Sequence, residues 1–496
     1  METPKAGLTA KIGSGAFWSA LSRVSVQGLS FINTAIVARK LGPAAYGLMN
    51  LAQIAMGLIT LFREIGISSA VVQRRDINHQ FLSSLFWMNM GLGGAASLAC
   101  FGSAPLFAMF FKQPQLIALL QVLSIGFLLT NVTAIHAGLL TRSMSFRKLA
   151  IIEITSAALS LGVAIAFAYS GFGVWSLVAS SLANAAVSTV GIFLIAQWWP
   201  GMSFAWKHIR SILSFGAGLS GYNLVNYFAR NADNILIGKY LGTTPLGFYQ
   251  FAYTIMVYPI QNVAQLLGRV LFPALAEMQS DHPRFCQAYL RASCAIAFVS
   301  FPMMAGIAAV AQPFVRVWLG PKWLPVVLLI QILAPVGMLQ SLGTTTGQIF
   351  MAKGRTDMMF AWGLAVSPLI VGGFYIGLRW GINGVAISYV LVMALLAYPL
   401  FRLPFGLIGL PVRTFARALL PYLFTTGVMF IVVYLVSRTM ESHAFRSLSI
   451  LSVTVPIGMV SYLGVAVALR LSIFAELAPM LGPRFKRFAN MADRRA

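Results

Sequence analysis

The chain contains two copies of one sequence pattern, set 200 residues apart. The string AIVARKLGPAAYG, residues 35–47, returns without a gap as ILIGKYLGTTPLG, residues 235–247. A repeat of this kind in an apolar chain is typical of secondary transporters, in which two related bundles of membrane helices enclose a substrate site. We therefore expect two related helical halves and a transport function.

The composition restricts these halves to a lipid environment. Hydrophobic residues make up 58% of the 496 residues, charged residues only 9%, and the mean hydropathy is +0.81. Each helical span of a bilayer needs about 20 apolar residues, whereas barrel strands alternate in segments of about ten. The apolar runs are far longer than such strands. The sequence therefore predicts an all-α polytopic membrane protein with about 14 transmembrane helices.

The repeat also indicates how these helices are grouped. We expect an N-terminal six-helix lobe in residues 1–205, a second six-helix lobe in residues 206–405, two appended helices in residues 406–470, and a basic amphipathic cytoplasmic tail in residues 471–496. A second shared pattern supports this division, because Gly171 opens the sixth predicted span and Gly381 opens the twelfth. Since six is even, both lobes have the same orientation in the membrane.

The formal net charge of +24 reflects membrane topology rather than nucleic-acid binding. The Lys and Arg residues are spread over short loops, with a large excess on the side that carries both termini. That side is therefore predicted to be cytoplasmic. The opening segment leads directly into a span, so we expect no cleaved signal peptide. The tail either lies on anionic membrane lipids or is a frayed end that carries topology charge.

The motifs that are absent narrow the mechanism. No G-x-x-x-x-G-K-[ST] loop occurs, so the chain does not use the P-loop route to hydrolyse ATP, and energy must come from an ion gradient, substrate consumption or another subunit. The histidines lack metal-ligand spacing, and no nucleophile constellation is present. We predict no enzyme activity, no metal and no cofactor.

Charged residues inside the spans are the main site candidates, because each costs about 2.5 to 3.5 kcal/mol at the bilayer centre. Arg23 lies near the middle of the first span, and it either holds an anionic substrate group or forms a structural pair. Arg230 and Asp233 lie in the equivalent seventh span, where they either form an ion pair or allow Asp233 to bind a coupling ion. Polar candidates on the same two spans are Gln27, Asn33, Asn223 and Asn226.

Two further carboxylates are candidates for coupling transport to H⁺ or Na⁺. Glu153 lies in the fifth span, near the cytoplasmic end, where it would otherwise point into water. Glu64 follows Arg63 and would otherwise form a local pair. Amides and tyrosines in the spans, among them Tyr227 and Gln261, either join helices to one another or line a wet cavity suited to sugar hydroxyls.

Several stretches resemble the bacterial polysaccharide exporters. They are Gly15-Ala16-Phe17-Trp18, the paired Leu-Gly loops, RNADNILIG at residues 230–238 and VWLGPKW at residues 317–323. Over about residues 10–470 the chain is similar to the Wzx-type flippases of lipid-linked oligosaccharides. Their superfamily also holds the multidrug extruders and the lipid II flippase.

The resemblance implies a V-shaped pair of lobes, a central cationic cavity and alternating access. The implied substrate is an undecaprenyl-pyrophosphate-linked oligosaccharide, carried across the bacterial inner membrane for exopolysaccharide, capsule or lipopolysaccharide, with a polysaccharide polymerase and export proteins as partners. This chain departs from that pattern in having few intramembrane cations beyond Arg23 and Arg230. The alternatives are a cation-coupled multidrug exporter, a lipid II flippase, and a non-transporting scaffold of a polysaccharide complex.

Overall fold

The computed structural model describes residues 6–61, 77–203, 205, 226–471 and 473–474. These residues form helices and no strands. Ten stretches among them are long and apolar enough to cross a membrane. The predicted all-α membrane fold is confirmed, while the count of about 14 spans stays a prediction. The predicted tail lies almost entirely outside the described residues.

The described residues belong to two compact units, Met1–Gly247 and Phe248–Ala496. The predicted lobe boundaries are not tested by this division and stay a prediction. The helices of the first unit are α1 (Ala6–Leu41), α2 (Pro43–Leu61), α3 (His79–Phe111), α4 (Gln115–Leu123), α5 (Ile125–Arg142), α6 (Phe146–Tyr169), α7 (Trp175–Ala196) and α8 (residues 226–240).

The chain then continues through α9 (Thr243–Pro259), which begins in the first unit, and a π-helical segment (Ile260–Ala264). The remaining helices are α10 (Gln265–Glu277), α11 (His282–Ala309), α12 (Ala311–Trp318), α13 (Val326–Ala352), α14 (Thr356–Gly377), α15 (Gly381–Gly406), α16 (Val412–Ser442) and α17 (Ser447–Ala468).

Helices α1 and α6 run parallel and are in contact near both ends. The Ser22 and Glu153 side chains are hydrogen-bonded across a separation of 131 residues. Gly15 faces the ring of Phe146, which is also 131 residues later in the sequence. Contacting residues therefore follow the same order along both helices, as in a parallel pair. At the far end, buried Val37 packs in one cluster with alanines of α6. Helix α7 packs against α6.

Hydrogen bonds between helices hold the core of the second unit. The Tyr289 hydroxyl of α11 is 2.9 Å from Thr345 Oγ1 of α13, and Ser300 Oγ is 2.9 Å from Ser341 Oγ on the same two helices. All four residues are buried. Such bonds stabilise helix pairs in lipid, where apolar surface alone does not favour helix over lipid contacts.

The repeated string forms a turn in both copies. Gly42 ends α1 with φ +81°, and Gly242 precedes α9 with φ +92°, a left-handed conformation that favours glycine. The copies also pack on each other reciprocally. A Cβ atom on Gly47 would overlap the Thr243 carbonyl, and one on Gly247 would overlap the Pro43 carbonyl. These are equivalent positions of the repeat, so the contact has the reciprocity of a two-fold axis.

This close approach predicts that Gly47→Ala destabilises the protein. The added methyl group meets backbone atoms on the opposite helix, which cannot rotate away as a side chain does. We expect a fall of several degrees in the apparent Tm of the detergent-solubilised protein, or loss of its monodisperse peak in size-exclusion chromatography. Gly94→Ala on α3 is the matched control, because its Cβ meets no atom within 4 Å. Equal Tm values for the two variants would contradict the close approach.

Candidate functional site

Helices α1, α6 and α7 enclose a polar cavity of about 550 Å³ in the first unit. Its size falls in the range of about 300 to 1,000 Å³ that is common for small-molecule sites. The polar side chains that line it are Ser19, Ser22, Arg23, Gln27, Glu153, Ser156, Asn184 and Ser188. Three of the predicted site residues, Arg23, Gln27 and Glu153, therefore lie in one cavity.

Spacing along α1 explains how that helix supplies one polar wall. Ser19, Arg23 and Gln27 follow one another at intervals of four residues, so their side chains share one face. The opposite wall repeats this spacing on α7 with Asn184 and Ser188. The same face of α1 becomes apolar toward the end of the helix, since Val37, about five turns after Ser19, packs against α6.

The Glu153 carboxylate is held from α1. Buried Ser22 donates a hydrogen bond from its Oγ to Glu153 Oε2. On α6 itself, Ser156 donates its hydroxyl to the Glu153 backbone carbonyl at 3.1 Å. Glu153 is also exposed, so both interpretations of it, as a coupling carboxylate and as a residue that points into water, stay predictions. Its carboxylate faces the cavity with one hydrogen-bond donor already in place.

Arg23 is available to a ligand. An ion pair requires a carboxylate oxygen within 4.0 Å of a guanidinium nitrogen. Among the described residues, no carboxylate is that close to Arg23, and this includes Glu153 in the same cavity. The cavity thus holds one cation and one anion that do not neutralise each other directly. A second guanidinium, that of Arg147 in the first turn of α6, lies 5.4 Å from the ring centroid of Trp18, which is in the fourth turn of α1. An Arg has five donors in a planar fork, which suits carboxylate or phosphate oxygens.

The other predicted residues that the structure describes do not line this cavity. Asp233 on α8 is buried, and its Oδ1 accepts the backbone N–H of Asn234 at 2.8 Å. Arg230, one turn earlier, is exposed, and no ion pair joins it to Asp233 among the described residues. Their roles in substrate or ion binding stay predictions.

The remaining candidates occupy separate places. The Tyr227 hydroxyl donates to the Ile54 carbonyl of α2 at 2.5 Å, which joins α8 to α2. Asn33 on α1 has a buried Oδ1 without a partner in the described part of the chain. Asn226 on α8 and Gln261 in the π-helical segment are exposed. Asn223 and Glu64 lie outside the described residues.

Ser156 and Ser188 also line the cavity, although the sequence did not single them out. Serine is common in membrane helices, where it bonds to the preceding turn, so a single serine is a weak signal. The available signal was spacing. Ser156 lies one turn after Glu153, and Ser188 one turn after Asn184.

The second unit contains a larger cavity of about 690 Å³ with a different lining. It lies among α11, α12, α16 and α17, and its walls are almost entirely aliphatic, aromatic and methionine side chains. The Tyr462 hydroxyl at its edge already donates to the Phe298 carbonyl at 2.9 Å. Size alone would favour this cavity, but it offers no charged group. The polar cavity of the first unit is therefore the better candidate for binding an anionic or sugar ligand.

The polar cavity predicts water access to its walls. In a variant with Cys100, Cys286 and Cys294 replaced by alanine, we expect Ser188→Cys to react with a charged maleimide in membrane vesicles, because thiolate formation needs water. Leu194→Cys is the control, since Leu194 is 75% exposed on the same helix, follows exposed Val190 by one turn and does not line the cavity. The measurement is the labelling rate by gel shift. Equal rates at both positions would mean that the cavity is not selectively hydrated.

The chain matches the family model described as polysaccharide biosynthesis protein over residues 36–328. It is 28% identical over 388 residues to the lipopolysaccharide biosynthesis protein WzxC of Escherichia coli strain K12, covering 78% of this chain and 79% of that protein. It is 27% identical over 470 residues to the teichuronic acid biosynthesis protein TuaB of Bacillus subtilis strain 168, covering 92% and 95% of the two chains.

Two solved structures show the same fold. The lipid II flippase MurJ in an inward closed conformation matches with a TM-score of 0.71 at 18% identity, over 93% of this chain and 98% of that one. An inward-facing multidrug resistance transporter of the MATE family and MOP superfamily matches with a TM-score of 0.61 at 17% identity, over 79% and 98%. The family model spans more than half of the chain, so this protein belongs to the polysaccharide biosynthesis protein family.

Proposed function

We propose that the protein is a flippase of the bacterial inner membrane. Its substrate is an undecaprenyl-pyrophosphate-linked oligosaccharide repeat unit, which it carries from the cytoplasmic to the periplasmic leaflet by alternating access. The product supplies exopolysaccharide, capsule or lipopolysaccharide synthesis. The names of the relatives support this class of pathway, since they refer to lipopolysaccharide, teichuronic acid and succinoglycan.

The observation that carries the proposal is the guanidinium of Arg23 in the polar cavity of the first unit. A cation inside a membrane span, as the sequence predicts for Arg23, is costly unless water or an anion solvates it. Arg23 has no carboxylate partner among the described residues, and its donors suit the oxygens of a diphosphate. The oligosaccharide needs both donors and acceptors for its hydroxyl groups, and the side-chain amides of Gln27 and Asn184 provide both.

Glu153 is the residue that we propose for coupling. Its carboxylate shares the cavity with Arg23, so its charge opposes the binding of an anionic substrate. Binding H⁺ or Na⁺ at Glu153 would remove that opposition and make substrate affinity depend on the coupling ion. Asp233, and Glu64 outside the described residues, remain further candidates for this role.

The role of Arg23 can be tested by polysaccharide export. In a strain that lacks this gene, we expect the surface polymer to be lost, lipid-linked repeat units to accumulate, and the wild-type gene to restore export. We expect Arg23→Ala to lower export about tenfold or more, since a charge-assisted hydrogen bond contributes about 1.5 to 3 kcal/mol. Arg23→Lys keeps the charge but loses the paired donors, so its export should be intermediate.

Arg446→Ala serves as the control, because Arg446 is exposed and immediately precedes α17, outside the polar cavity. All variants are compared at equal membrane abundance. Wild-type export by Arg23→Ala would remove Arg23 from the site. Normal polymer in the deletion strain would overturn the proposed function. Multidrug resistance without a polymer defect would indicate an extruder, and arrested cell-wall growth would indicate a lipid II flippase.

A second test concerns Glu153. Glu153→Gln keeps an oxygen that can accept the Ser22 hydroxyl but removes the ionisable group. In proteoliposomes with a lipid-linked oligosaccharide, we expect the variant to bind substrate and to lose the dependence of its translocation rate on an imposed H⁺ or Na⁺ gradient. Glu441→Gln, near the end of α16, is the control. A gradient dependence equal to that of the wild type in Glu153→Gln would exclude Glu153 as the coupling residue.

A further inference from the structure

The second unit contains a smaller polar cavity of about 390 Å³ at the end where α12, α13 and α15 meet. Helix α12 contributes Gln312 and Arg316, which are one turn apart on the same face. Gln331 comes from the second turn of α13, and Asn383 from the first turn of α15. In the predicted orientation of the chain, this is the periplasmic end of these helices.

Rigid turns hold the three helices in place around this cavity. Between α12 and α13 the chain turns at Gly320, with φ +90°, and continues into fully buried Trp323. The Trp323 ring lies 4.3 Å from the Phe251 ring, centroid to centroid, and this contact anchors the beginning of α13. Helix α15 begins at Gly381, with φ +68°. The cavity is therefore part of the framework of this unit.

The four polar side chains have unused hydrogen-bonding capacity. Gln331 donates one N–H to the Ala308 carbonyl at 3.3 Å, which leaves its amide oxygen available. Among the described residues, the side chains of Gln312, Arg316 and Asn383 form neither a hydrogen bond nor an ion pair. A guanidinium and three amides that face one cavity provide donors for anionic oxygens and both donors and acceptors for hydroxyl groups.

The charge at this end of the second unit is positive. Lys322 and Arg379 lie in the adjacent turns, and the sequence has no Asp or Glu between Asp281 and Asp357. Asp281 precedes α11, whose 28 residues at about 1.5 Å each place it about 40 Å from the other end of that helix. Asp281 is also paired with Arg284 at 3.3 Å, so its carboxylate does not offset the cations at this end.

One carboxylate does lie near this end of the helices in the described part of the unit. Glu441, at the end of α16, is 4.0 Å from Arg438 on the same helix. Its charge is therefore offset within α16. Arg316 keeps a guanidinium that no carboxylate neutralises in the described residues.

We propose that this cavity is a second substrate site, which binds the anionic sugar portion of the lipid-linked oligosaccharide on the periplasmic side, before release. The inference rests on the proposed function and extends it. Arg316 pairs with anionic oxygens of the ligand, and the amides of Gln312, Gln331 and Asn383 bind neighbouring hydroxyl groups. The anionic oxygens belong either to the phosphate next to the first sugar or to an acidic sugar of the repeat unit.

The test measures ligand protection in purified full-length protein in nanodiscs of neutral lipid. Leu328 lines the cavity without taking part in polar binding, so Leu328→Cys in the cysteine-free variant is a suitable reporter. At constant ionic strength, we expect glucose 1-phosphate to slow maleimide labelling at least threefold, and glucose to leave the rate unchanged. Protection by pyrophosphate but not by glucuronate would show that the site binds the phosphate group. Protection by glucuronate would show that it binds an acidic sugar.

Arg316→Ala should abolish the protection, because it removes the cation from the cavity. Arg379→Ala is the matched control, since it removes a neighbouring positive charge that does not line the cavity, and its protection should persist. Absence of protection by all three anions, or unchanged protection in Arg316→Ala, would overturn the proposal. Labelling that is slower in phosphatidylglycerol nanodiscs than in neutral ones, with no added ligand, would also overturn the proposal, because the site would then bind a lipid headgroup. Because polymer export tests the flippase function separately, the two proposals can fail independently.

Discussion

The cost of placing a charged side chain inside a bilayer, about 2.5 to 3.5 kcal/mol on insertion scales, governs the first unit. Arg23 lies on α1 and Glu153 on α6, the latter being one of the ten stretches apolar enough to cross a membrane, and both side chains line one polar cavity. Helices α1 and α6 make this possible because they touch at Gly15 and Phe146 near one end and through Val37 near the other. The Ser22–Glu153 hydrogen bond joins the two helices between these contacts, and Asn184 and Ser188 of α7 supply the remaining polar wall of the cavity.

The same constraint explains how the repeated string is used. Apolar surface does not favour helix contacts over lipid contacts, so helices in a membrane associate through close backbone approach and hydrogen bonds. Gly47 and Gly247 permit that approach at equivalent positions of the two copies. The left-handed turns at Gly42 and Gly242 set the direction of the helices that follow. Duplication of one short pattern thus supplies both members of a reciprocal contact.

The candidate site was predictable in part. The sequence indicates Arg23 and Glu153 separately, one as a candidate for binding an anion or for a structural pair and the other as a candidate coupling carboxylate, because both are charged residues within predicted spans. The sequence did not indicate that they share a cavity, since 130 residues separate them along the chain. For Arg230 and Asp233 the spacing allowed an ion pair, yet the structure leaves Arg230 exposed and buries Asp233.

The sequence by itself determined the features that have local causes. Long apolar runs specify membrane helices, and the repeat at 200 residues specifies a duplicated unit. The Leu-Gly pair in each copy of the repeated string specifies a left-handed turn at Gly42 and Gly242. Only the tertiary structure decided which side chains meet, such as Ser22 with Glu153 or Arg316 with Gln331 in one cavity. The physical reason is that neighbours across two helices depend on the rotation and register of each helix. Those are set by the packing of whole helix surfaces, which no short stretch of sequence encodes.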